Sequence, residues 1–597
     1  MLRKSKIAAA MLMATATAGV NAAHVNTDGT GQVALLPYYN VNNNFITNVN
    51  ITNTTAEYKA VKLRFRESRI SADVLDFNVY MSPFDVWNAT IRLNGSVANI
   101  ITEDETCTYP AKALLQAGVD FRNIYTATTD EDLTEGYVEI IEMGVIADGA
   151  GPAADGGLEA EIDGTGIADG VVNAVAGDRS IPAGLLHDTT GMPADCSVVD
   201  DAWTAGAVSA VNIDGFEPGA MTTEGVAQDA GGPAAPYADT MNAGLVEPTG
   251  GLNAYSIMIN TATGAAFVEQ GTHIDDYATV AQHYQSDDQS NYLLPSLASG
   301  DVVVANMLDN TGAGVKTTGP LPLVELDTGA INDIAPNPSI PMGSNPLPMA
   351  IVLSADAISA PYFVEAGING ETDIVATFPM RKHGIYNGSI LTLDLDGAGP
   401  LAPCAGTLND GVDDGATVPL TTLGTPANDY PETAPGSGIH CTNAGYEAST
   451  PDVEVGLVYY DYEEQVAQVV AGSSDFSPVP INAPTIVALE REVNVVSVNR
   501  SAGGNQSVLG TPAANVFNWN LDPGFEAGWV TISAAAAYDY TSHPSIVAMV
   551  EAVGGVPGAA GVWTGVPVIG FSAMAGDVGP AQLGETVDLI RSVNRTP

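Results

Sequence analysis

The amino-acid sequence predicts an all-β protein with low helix content, built on an antiparallel β-sandwich core that carries long Gly/Ala/Asp-rich insertions. Near the start of the chain, apolar and polar residues alternate with a period of two, which places each set on one face of a strand. The 63 glycines and 37 prolines separate short apolar runs, as turns between strands do. Apolar residues reach 45% and charged ones only 15%, so the chain can bury a core. We therefore expect a sandwich of immunoglobulin-like type.

Three antiparallel strands are predicted in the first hundred residues. Apolar side chains alternate with polar ones over residues 47–52 and again over residues 61–66, and the polar residues 53–55 form a turn between these runs. Residues 74–81 repeat the pattern and end at Ser82-Pro83. Each strand is expected to turn one face to the core and one face to water.

Basic residues collect on the polar side of the second of these strands, at Lys62, Arg64 and Arg66. A solvated strand face that discourages edge pairing is the favoured interpretation. The alternative is a basic stripe that binds an anionic partner, either the acidic remainder of this protein or a neighbouring copy. Arg381 and Lys382 form a second cationic spot with the same two interpretations, a solvated strand end or an anion-binding site.

Further strands are predicted in the second half, where residues 347–378 are apolar and short β-branched runs occur at 457–460, 485–489, 493–498, 529–532 and 566–571. Two Gly/Ala/Asp-rich stretches supply turns and little core. The predicted organisation is a signal peptide at 1–22, an N-terminal β-sandwich module at 23–143, an acidic Gly/Ala-rich insertion at 144–251, a central β region at 252–396, an acidic disulfide-closed insertion at 397–450 and a C-terminal β region at 451–597.

The first residues have the pattern of a bacterial secretory signal peptide. Arg3, Lys4 and Lys6 precede an apolar run at 7–18, and the small residues at 20–22 predict cleavage after Ala22. The run is too short to cross about 30 Å of hydrocarbon as a helix. An uncharged stretch at 552–576 is rich in Gly, which favours two strands over a membrane span. The protein is therefore expected to be exported to the cell surface, the medium or the periplasm.

Four cysteines, Cys107, Cys196, Cys404 and Cys441, enter an oxidising compartment if the protein is exported. An even number there predicts two disulfides, for which three connectivities exist. We favour Cys107–Cys196 with Cys404–Cys441, because each of these pairs brackets one of the insertions.

The net charge of −51 excludes one class of partner and suggests others. Nucleic acid is a poor partner, because binding phosphates requires a basic footprint. Other copies of the protein and polymers of the cell envelope or the extracellular space remain as expected partners.

Calcium is the one cofactor that the sequence suggests. Asp394, Asp396, Asp410, Asp413 and Asp414 offer hard oxygen ligands beside glycine turns. They do not complete a known calcium loop, and the preference of Asp-Gly pairs for turns, which explains them without a bound ion, is the favoured interpretation.

Several segments resemble a group of exported bacterial proteins described as cell-surface proteins. The matching segments are LLPYY at 35–39, KAVKLRFRE at 59–67, SPFDVW at 82–87, TDIVATFP at 372–379 and PVIGF at 567–571. One position departs from the pattern of the group, since Ile374 stands where a Trp is usual. The resemblance implies a β architecture interrupted by insertions, and export. It transfers no catalytic residue.

Motifs of common hydrolases are missing from the sequence, including GxSxG and HExxH, so no catalytic residue is nominated. The sequence therefore predicts a non-enzymatic exported surface or extracellular protein with a structural or adhesion role, self-assembling through charged surfaces. Two alternatives remain open. One is an extracellular glycan- or calcium-binding module, and the other is a secreted hydrolase whose carboxylates the sequence does not identify.

Overall fold

A computed structural model describes residues 23–123, 129–146, 181–197, 245–279, 347–381, 453–461, 485–500, 507–534, 566–579 and 581–592, with shorter pieces between them. These residues form sheets that are antiparallel except for the parallel pair of Val493–Asn499 with Val516–Asn520, and they form few and short helices, which confirms the predicted all-β sandwich. Of the described helices, none has the length and hydrophobicity that crossing a bilayer requires. Most of the two predicted insertions lies outside the described residues.

The first sandwich is built from strands on both sides of the first insertion. Its strands are β1 His24–Val25, β2 Val33–Asn40, β3 Phe45–Asn53, β4 Tyr58–Glu67, β5 Asp73–Met81, β6 Val86–Asn94, β7 Val97–Ile101, β8 Cys107–Tyr109, β9 Val119–Asp120, β10 Glu135–Ile146, β11 Leu245–Val246, β12 Leu252–Asn260, β13 Ala266–Gln270 and β14 Thr272–Asp275.

The remaining strands form the second sandwich and small hairpins. They are β15 Val304–Asn306, β16 Val315–Thr317, β17 Ser354–Ala355, β18 Ala357–Phe363, β19 Glu371–Thr377, β20 Ile385–Tyr386, β21 Ser389–Ile390, β22 Asn409–Asp410, β23 Ser437–Gly438, β24 Val453–Asp461, β25 Thr485–Leu489, β26 Val493–Asn499, β27 Val516–Asn520, β28 Ala527–Ala534, β29 Val566–Pro567, β30 Ile569–Val578, β31 Ala581–Asp588 and β32 Ile590–Ser592. The helices are α1 Lys112–Ala117, α2 Ile181–Leu185 and α3 Leu347–Leu353, with 3-10 turns at Asp132–Thr134, Ala366–Ile368 and Ala513–Asn515.

Each sandwich consists of two sheets. In the first, a sheet in the order β1-β14-β2-β10-β4-β5-β8, with β11 beside β10, faces a sheet in the order β13-β12-β3-β6-β7-β9. In the second, the order β25-β24-β28-β18-β32 faces β27-β26-β19-β30-β31. The central region predicted at 252–396 thus contributes to both sandwiches, because β12 pairs with β3 while β19 pairs with β26 and β30.

The predicted alternation is visible in the core of the first sandwich. Val49 and Ile51 of β3 and Leu63 and Phe65 of β4 belong to one buried cluster between the two sheets. Trp87 is fully buried in the same cluster, where its ring lies 5.7 Å from that of Phe77. The period-two pattern therefore assigns these strand faces correctly.

One sheet of the second sandwich is buried on both faces, which joins the two sandwiches. In β26, Val496 and Val498 face the core of the second sandwich, whereas Val493 and Val495 pack in a cluster with Tyr38 and residues of the first. The sequence of a strand that is covered on both faces is a nearly continuous run of apolar, β-branched residues, and residues 493–498 have this pattern.

Residues 347–353 form helix α3, although the sequence predicted a strand there. Pro348 occupies the first turn of the helix, where its missing N–H costs no hydrogen bond. Met349 and Ile351 are buried in a cluster with Ile141 of the first sandwich. An apolar run of this length is ambiguous between a buried strand and a buried helix, so the sequence alone did not decide.

The Cys107–Cys196 disulfide confirms one of the two predicted bridges. Cys107 lies in the edge strand β8, and the bridge attaches residues 181–197 to that edge. Cys404 and Cys441 lie outside the described residues, so their pairing stays a prediction.

Glu67, at the end of β4, holds the following turn from inside the protein. Its carboxylate accepts hydrogen bonds from the backbone N–H groups of Arg69 (2.6 Å), Ile70 (2.8 Å) and Ala72 (2.8 Å). The side chain is fully buried, and this desolvation raises the pKa of Glu67 to about 7.

The raised pKa of Glu67 predicts that stability falls as the pH rises from 4.5 to above 7. In this window the folded protein binds more protons than the unfolded chain, so raising the pH favours unfolding. At about 1.4 kcal/mol per pKa unit, the Glu67 contribution is roughly 3 kcal/mol. Urea unfolding at pH 5 and pH 8 measures it, and Glu67→Gln should flatten the dependence. Glu103→Gln, at an exposed position, is the control; an equal pH dependence in wild type and Glu67→Gln contradicts the prediction.

Candidate functional site

The basic residues of β4 are buried, and each lies beside a carboxylate of the same chain. The side chains of Lys59, Lys62, Arg64 and Arg66 have no exposed area. The ion pairs are Lys59 Nζ to Glu142 Oε1 (2.7 Å), Lys62 Nζ to Asp76 Oδ1 (2.5 Å), Arg64 Nη1 to Asp73 Oδ2 (3.3 Å) and Arg66 Nη2 to Glu139 Oε2 (3.2 Å).

The predicted solvated face at Lys62, Arg64 and Arg66 is therefore wrong, and these residues do not form an accessible surface for another molecule. The reason is that two elements cover this side of the sheet. Ile141, which pairs with Lys62 in register, packs in one cluster with helix α3, and Tyr137, which pairs with Arg66, packs in one cluster with strand β26. Charges taken out of water require partners at close range. Strands β5 and β10, on either side of β4, supply those carboxylates.

Arg381 is also buried, with 4% of its surface exposed. Its Nη1 donates to the backbone oxygen of Glu490 at 2.9 Å, and its Nε lies 3.9 Å from Glu492 Oε1. The solvated strand end predicted for Arg381 is wrong, because this guanidinium holds the segment before β26. Lys382 lies outside the described residues.

The calcium candidates are not tested by the structure. Asp394, Asp396, Asp413 and Asp414 lie outside the described residues, and of Asp410 only its backbone in β22 is described. Among the side chains that are described, no group of three or more His, Cys, Asp or Glu residues converges as a metal site would require.

Ser82, His187 and Asp85 approach one another without the geometry of a catalytic triad. Ser82 Oγ lies 2.9 Å from His187 Nδ1, and Asp85 Oδ1 lies 3.7 Å from the same nitrogen. A triad needs the carboxylate and the hydroxyl on opposite nitrogens of the imidazole. Asp85 also accepts from the N–H groups of Ser82 (3.1 Å) and Val86 (2.8 Å). The cluster fastens residues 181–197 to the turn before β6.

An exposed aromatic pair lies on the outer face of the second sandwich. Tyr460 of β24 and Trp529 of β28 are direct cross-strand partners, and their rings stack with centroids 4.5 Å apart and planes 15° from parallel. Trp529 is 41% exposed. Pro361 of β18 is the partner of Trp529 on its other side, so the three residues form an apolar row across three strands, which we call the aromatic platform.

Alternation along β24 places two adjacent tyrosines on opposite faces of the sheet. Tyr459 points to the core side, where its ring packs edge-on against Trp519 at 5.6 Å and Phe525 at 4.9 Å. Tyr460 consequently points outward. Gly528 precedes Trp529, and a Cβ at Gly528 would collide with the carbonyl oxygen of Tyr460. The glycine therefore permits the close strand approach that stacks the two rings.

Hydroxyl groups lie beside the aromatic platform. Ser359 of β18 and Thr531 of β28 are cross-strand partners, and their hydroxyl oxygens are 3.0 Å apart. They are two residues from Pro361 and Trp529 in their strands, so they lie on the same face of the sheet. The platform thus combines a flat apolar surface with adjacent hydrogen-bonding groups, which is the arrangement that binds a ring with one apolar face and polar edges.

The candidate site residues predicted from the sequence do not include the aromatic platform. Trp87 and Trp519 are buried, whereas Trp529 is exposed. The signal that could have found it is the alternation of β28, since the buried Val530 and Ile532 place Trp529 on the opposite, outer face.

Comparisons with known proteins leave the identity of the chain open: no protein-family model, curated protein or solved structure matches it. The resemblance to exported cell-surface proteins and the immunoglobulin-like topology therefore both stay predictions.

Proposed function

We propose that the protein is a non-enzymatic exported protein of the cell surface or extracellular space that binds glycans through the aromatic platform of Tyr460, Trp529 and Pro361. The observation that carries this proposal is the stacked Tyr460–Trp529 pair, in which Trp529 is exposed and Tyr460 is half-buried. A large side chain of this kind is usually buried, and an exposed apolar group next to hydroxyls is characteristic of a binding surface.

A pyranose ring fits the platform by its chemistry. The axial C–H groups on one face of the sugar are apolar and pack against the indole, while its hydroxyls exchange hydrogen bonds with Ser359 and Thr531 at the border. An uncharged polysaccharide is the favoured ligand, because a chain of net charge −51 repels polyanions at long range. Adhesion to a glycan-coated surface is then the biological role.

Trp529→Ala is expected to weaken binding to a neutral polysaccharide by about tenfold or more, which corresponds to about 1.4 kcal/mol and matches the loss of an exposed aromatic contact. Affinity electrophoresis of the mature protein in gels containing soluble neutral glucans, mannans or galactans measures the retardation. Leu583→Ala, which removes a 61% exposed apolar side chain from β31, is the matched control and should migrate as wild type does. Equal retardation of wild type and Trp529→Ala, or no retardation by any of these polymers, contradicts the proposal.

Export is the second part of the proposal. Its support is the basic and apolar pattern at the start of the chain, together with the position of β1, whose first residue His24 comes directly after the buried Ala23. Fractionation of the producing cells with N-terminal sequencing tests it. A mature N-terminus at Ala23 in the envelope or the medium is expected, and an uncleaved chain in the cytoplasm contradicts it.

Self-assembly through charged surfaces, which the sequence predicted first, has no support from the basic residues of β4, because their side chains are buried and paired inside the protein. Surface adhesion through the platform does not depend on those residues.

A further inference from the structure

A second candidate site lies between the two sandwiches, beside strand β32, which pairs with β18. It is a cleft of about 340 Å³ whose walls come from the turn after β1, the β13–β14 turn and strands β30 to β32. Its polar lining includes Thr27, Gln270, Thr272, Asp588 and Arg591. Both sandwiches therefore contribute groups to one cavity.

Arg591 is the single cation among the residues that line the cleft. Its Nη1 donates to the backbone oxygen of Val352 at 3.4 Å, and no carboxylate among the described residues lies within 4.0 Å of its guanidinium. Desolvation lowers the pKa of Arg591 to about 10, which leaves it charged at neutral pH. In a chain with 70 acidic and 19 basic residues, a guanidinium without a carboxylate partner in a cavity is unusual.

The imidazole of His273 adds no second positive charge to the cleft. His273 lines the same cavity, but its Nε2 accepts a hydrogen bond from the N–H of Ala254 at 2.8 Å, and burial lowers its pKa to about 4. The imidazole is therefore neutral. Asp588 is exposed at the border of the cleft, where it can accept hydrogen bonds from hydroxyl groups.

We propose that this cleft is a binding site for a small hydroxylated carboxylate, such as a uronic acid, with Arg591 holding the carboxylate and Asp588, Thr272 and Gln270 contacting the hydroxyls. The planar fork of a guanidinium matches the two oxygens of a carboxylate, and pairing it repays the desolvation of the charge. The site takes no residue from the aromatic platform, although Arg591 pairs in register with Ile358, the neighbour of Ser359 at the border of the platform.

Isothermal titration of the mature full-length protein with D-glucuronate, with D-glucose and with inorganic phosphate tests the site. Saturable binding of glucuronate in preference to both other probes is expected. Arg591→Met should weaken glucuronate binding at least tenfold, whereas Arg122→Met, at an exposed arginine outside the cleft, should leave it unchanged. Unchanged affinity in Arg591→Met, absence of glucuronate binding, or tighter binding of phosphate overturns the proposal.

Thermal stability separates a ligand-binding arginine from a structural one. Removing a desolvated charge that lacks a carboxylate partner should leave the Tm of the unliganded Arg591→Met protein equal to or above that of wild type. Glucuronate should raise the Tm of wild type and not that of the variant. A marked fall in Tm of unliganded Arg591→Met shows that Arg591 supports the fold, and it overturns the assignment.

Discussion

Replacing Glu142 with glutamine is expected to lower the free energy of unfolding by about 3–5 kcal/mol, which is the typical cost of removing one partner of a buried ion pair. Glu142 and Lys59 are both without exposed side-chain area, and the Lys59 ammonium lies 2.7 Å from the carboxylate. Glutamine keeps the size of the side chain and can still accept from the N–H of Gly250, which donates to Glu142 at 2.8 Å. The variant therefore isolates the loss of charge, and urea unfolding monitored by fluorescence measures its effect.

An exposed ion pair in the same sandwich serves as the control. Lys112 Nζ lies 2.6 Å from Glu105 Oε2, a similar separation, but the two side chains are 21% and 34% exposed. Glu105→Gln should cost no more than about 1 kcal/mol, because water screens such a pair and solvates the remaining charge.

A double variant identifies the cause of the loss. Lys59→Met in combination with Glu142→Gln removes the buried ammonium, whose remaining carboxylate partner in the single variant is the 41% exposed Glu57 at 3.4 Å, and should recover most of the stability that Glu142→Gln loses alone. If the double variant is no more stable than Glu142→Gln, or if Glu142→Gln costs as little as Glu105→Gln, the buried charge is not the source of the effect.

The burial of Lys62, Arg64 and Arg66 shows what the sequence could and could not predict. Alternation identified which residues of β4 share a face, and it placed Leu63 and Phe65 in the core correctly. The environment of the opposite face depends on helix α3 and strand β26, which follow in the chain more than two hundred residues later. Local patterns report the periodicity of a strand, whereas the cover over its second face is a tertiary property.

The same distinction applies to the two sites. Trp529 is recognisable as an outward residue once β28 is known, but its stacking depends on the register that places Tyr460 opposite it. The cleft at Arg591 requires the contact between the sandwiches, which no sequence period reports. The Cys107–Cys196 bridge was predictable, because four cysteines in an exported chain predict two bridges and the pairing of neighbours along the chain was the favoured connectivity.

Replacing both Cys107 and Cys196 with alanine is expected to lower the free energy of unfolding by about 4–5 kcal/mol in the chain-entropy model, because the bridge closes a long loop in the unfolded chain. The two cysteines are 89 residues apart in sequence. Alanine keeps position 107 apolar, which matters because Cys107 is completely buried in β8. Calorimetry of the oxidised wild type and of the variant measures the change.

The same variant shows whether the bridge attaches residues 181–197 locally in addition to stabilising the whole fold. Residues 181–197 are held to the first sandwich by the bridge and by the contact of His187 with Ser82. Limited proteolysis in the native state should therefore cut the variant within 186–197 before any other part of the sandwich unfolds. His187→Ala with the bridge intact is the control, and it should resist cleavage, because the covalent link alone restricts the segment.

The second predicted bridge can be examined in the same protein. Mass mapping without reduction should recover Cys404 and Cys441 in one linked peptide, and their replacement should cost less than loss of the first bridge, because the enclosed loop is shorter. Free thiols at either position contradict the pairing. An equal loss of stability from both pairs of substitutions would mean that loop length does not determine how these bridges stabilise the fold.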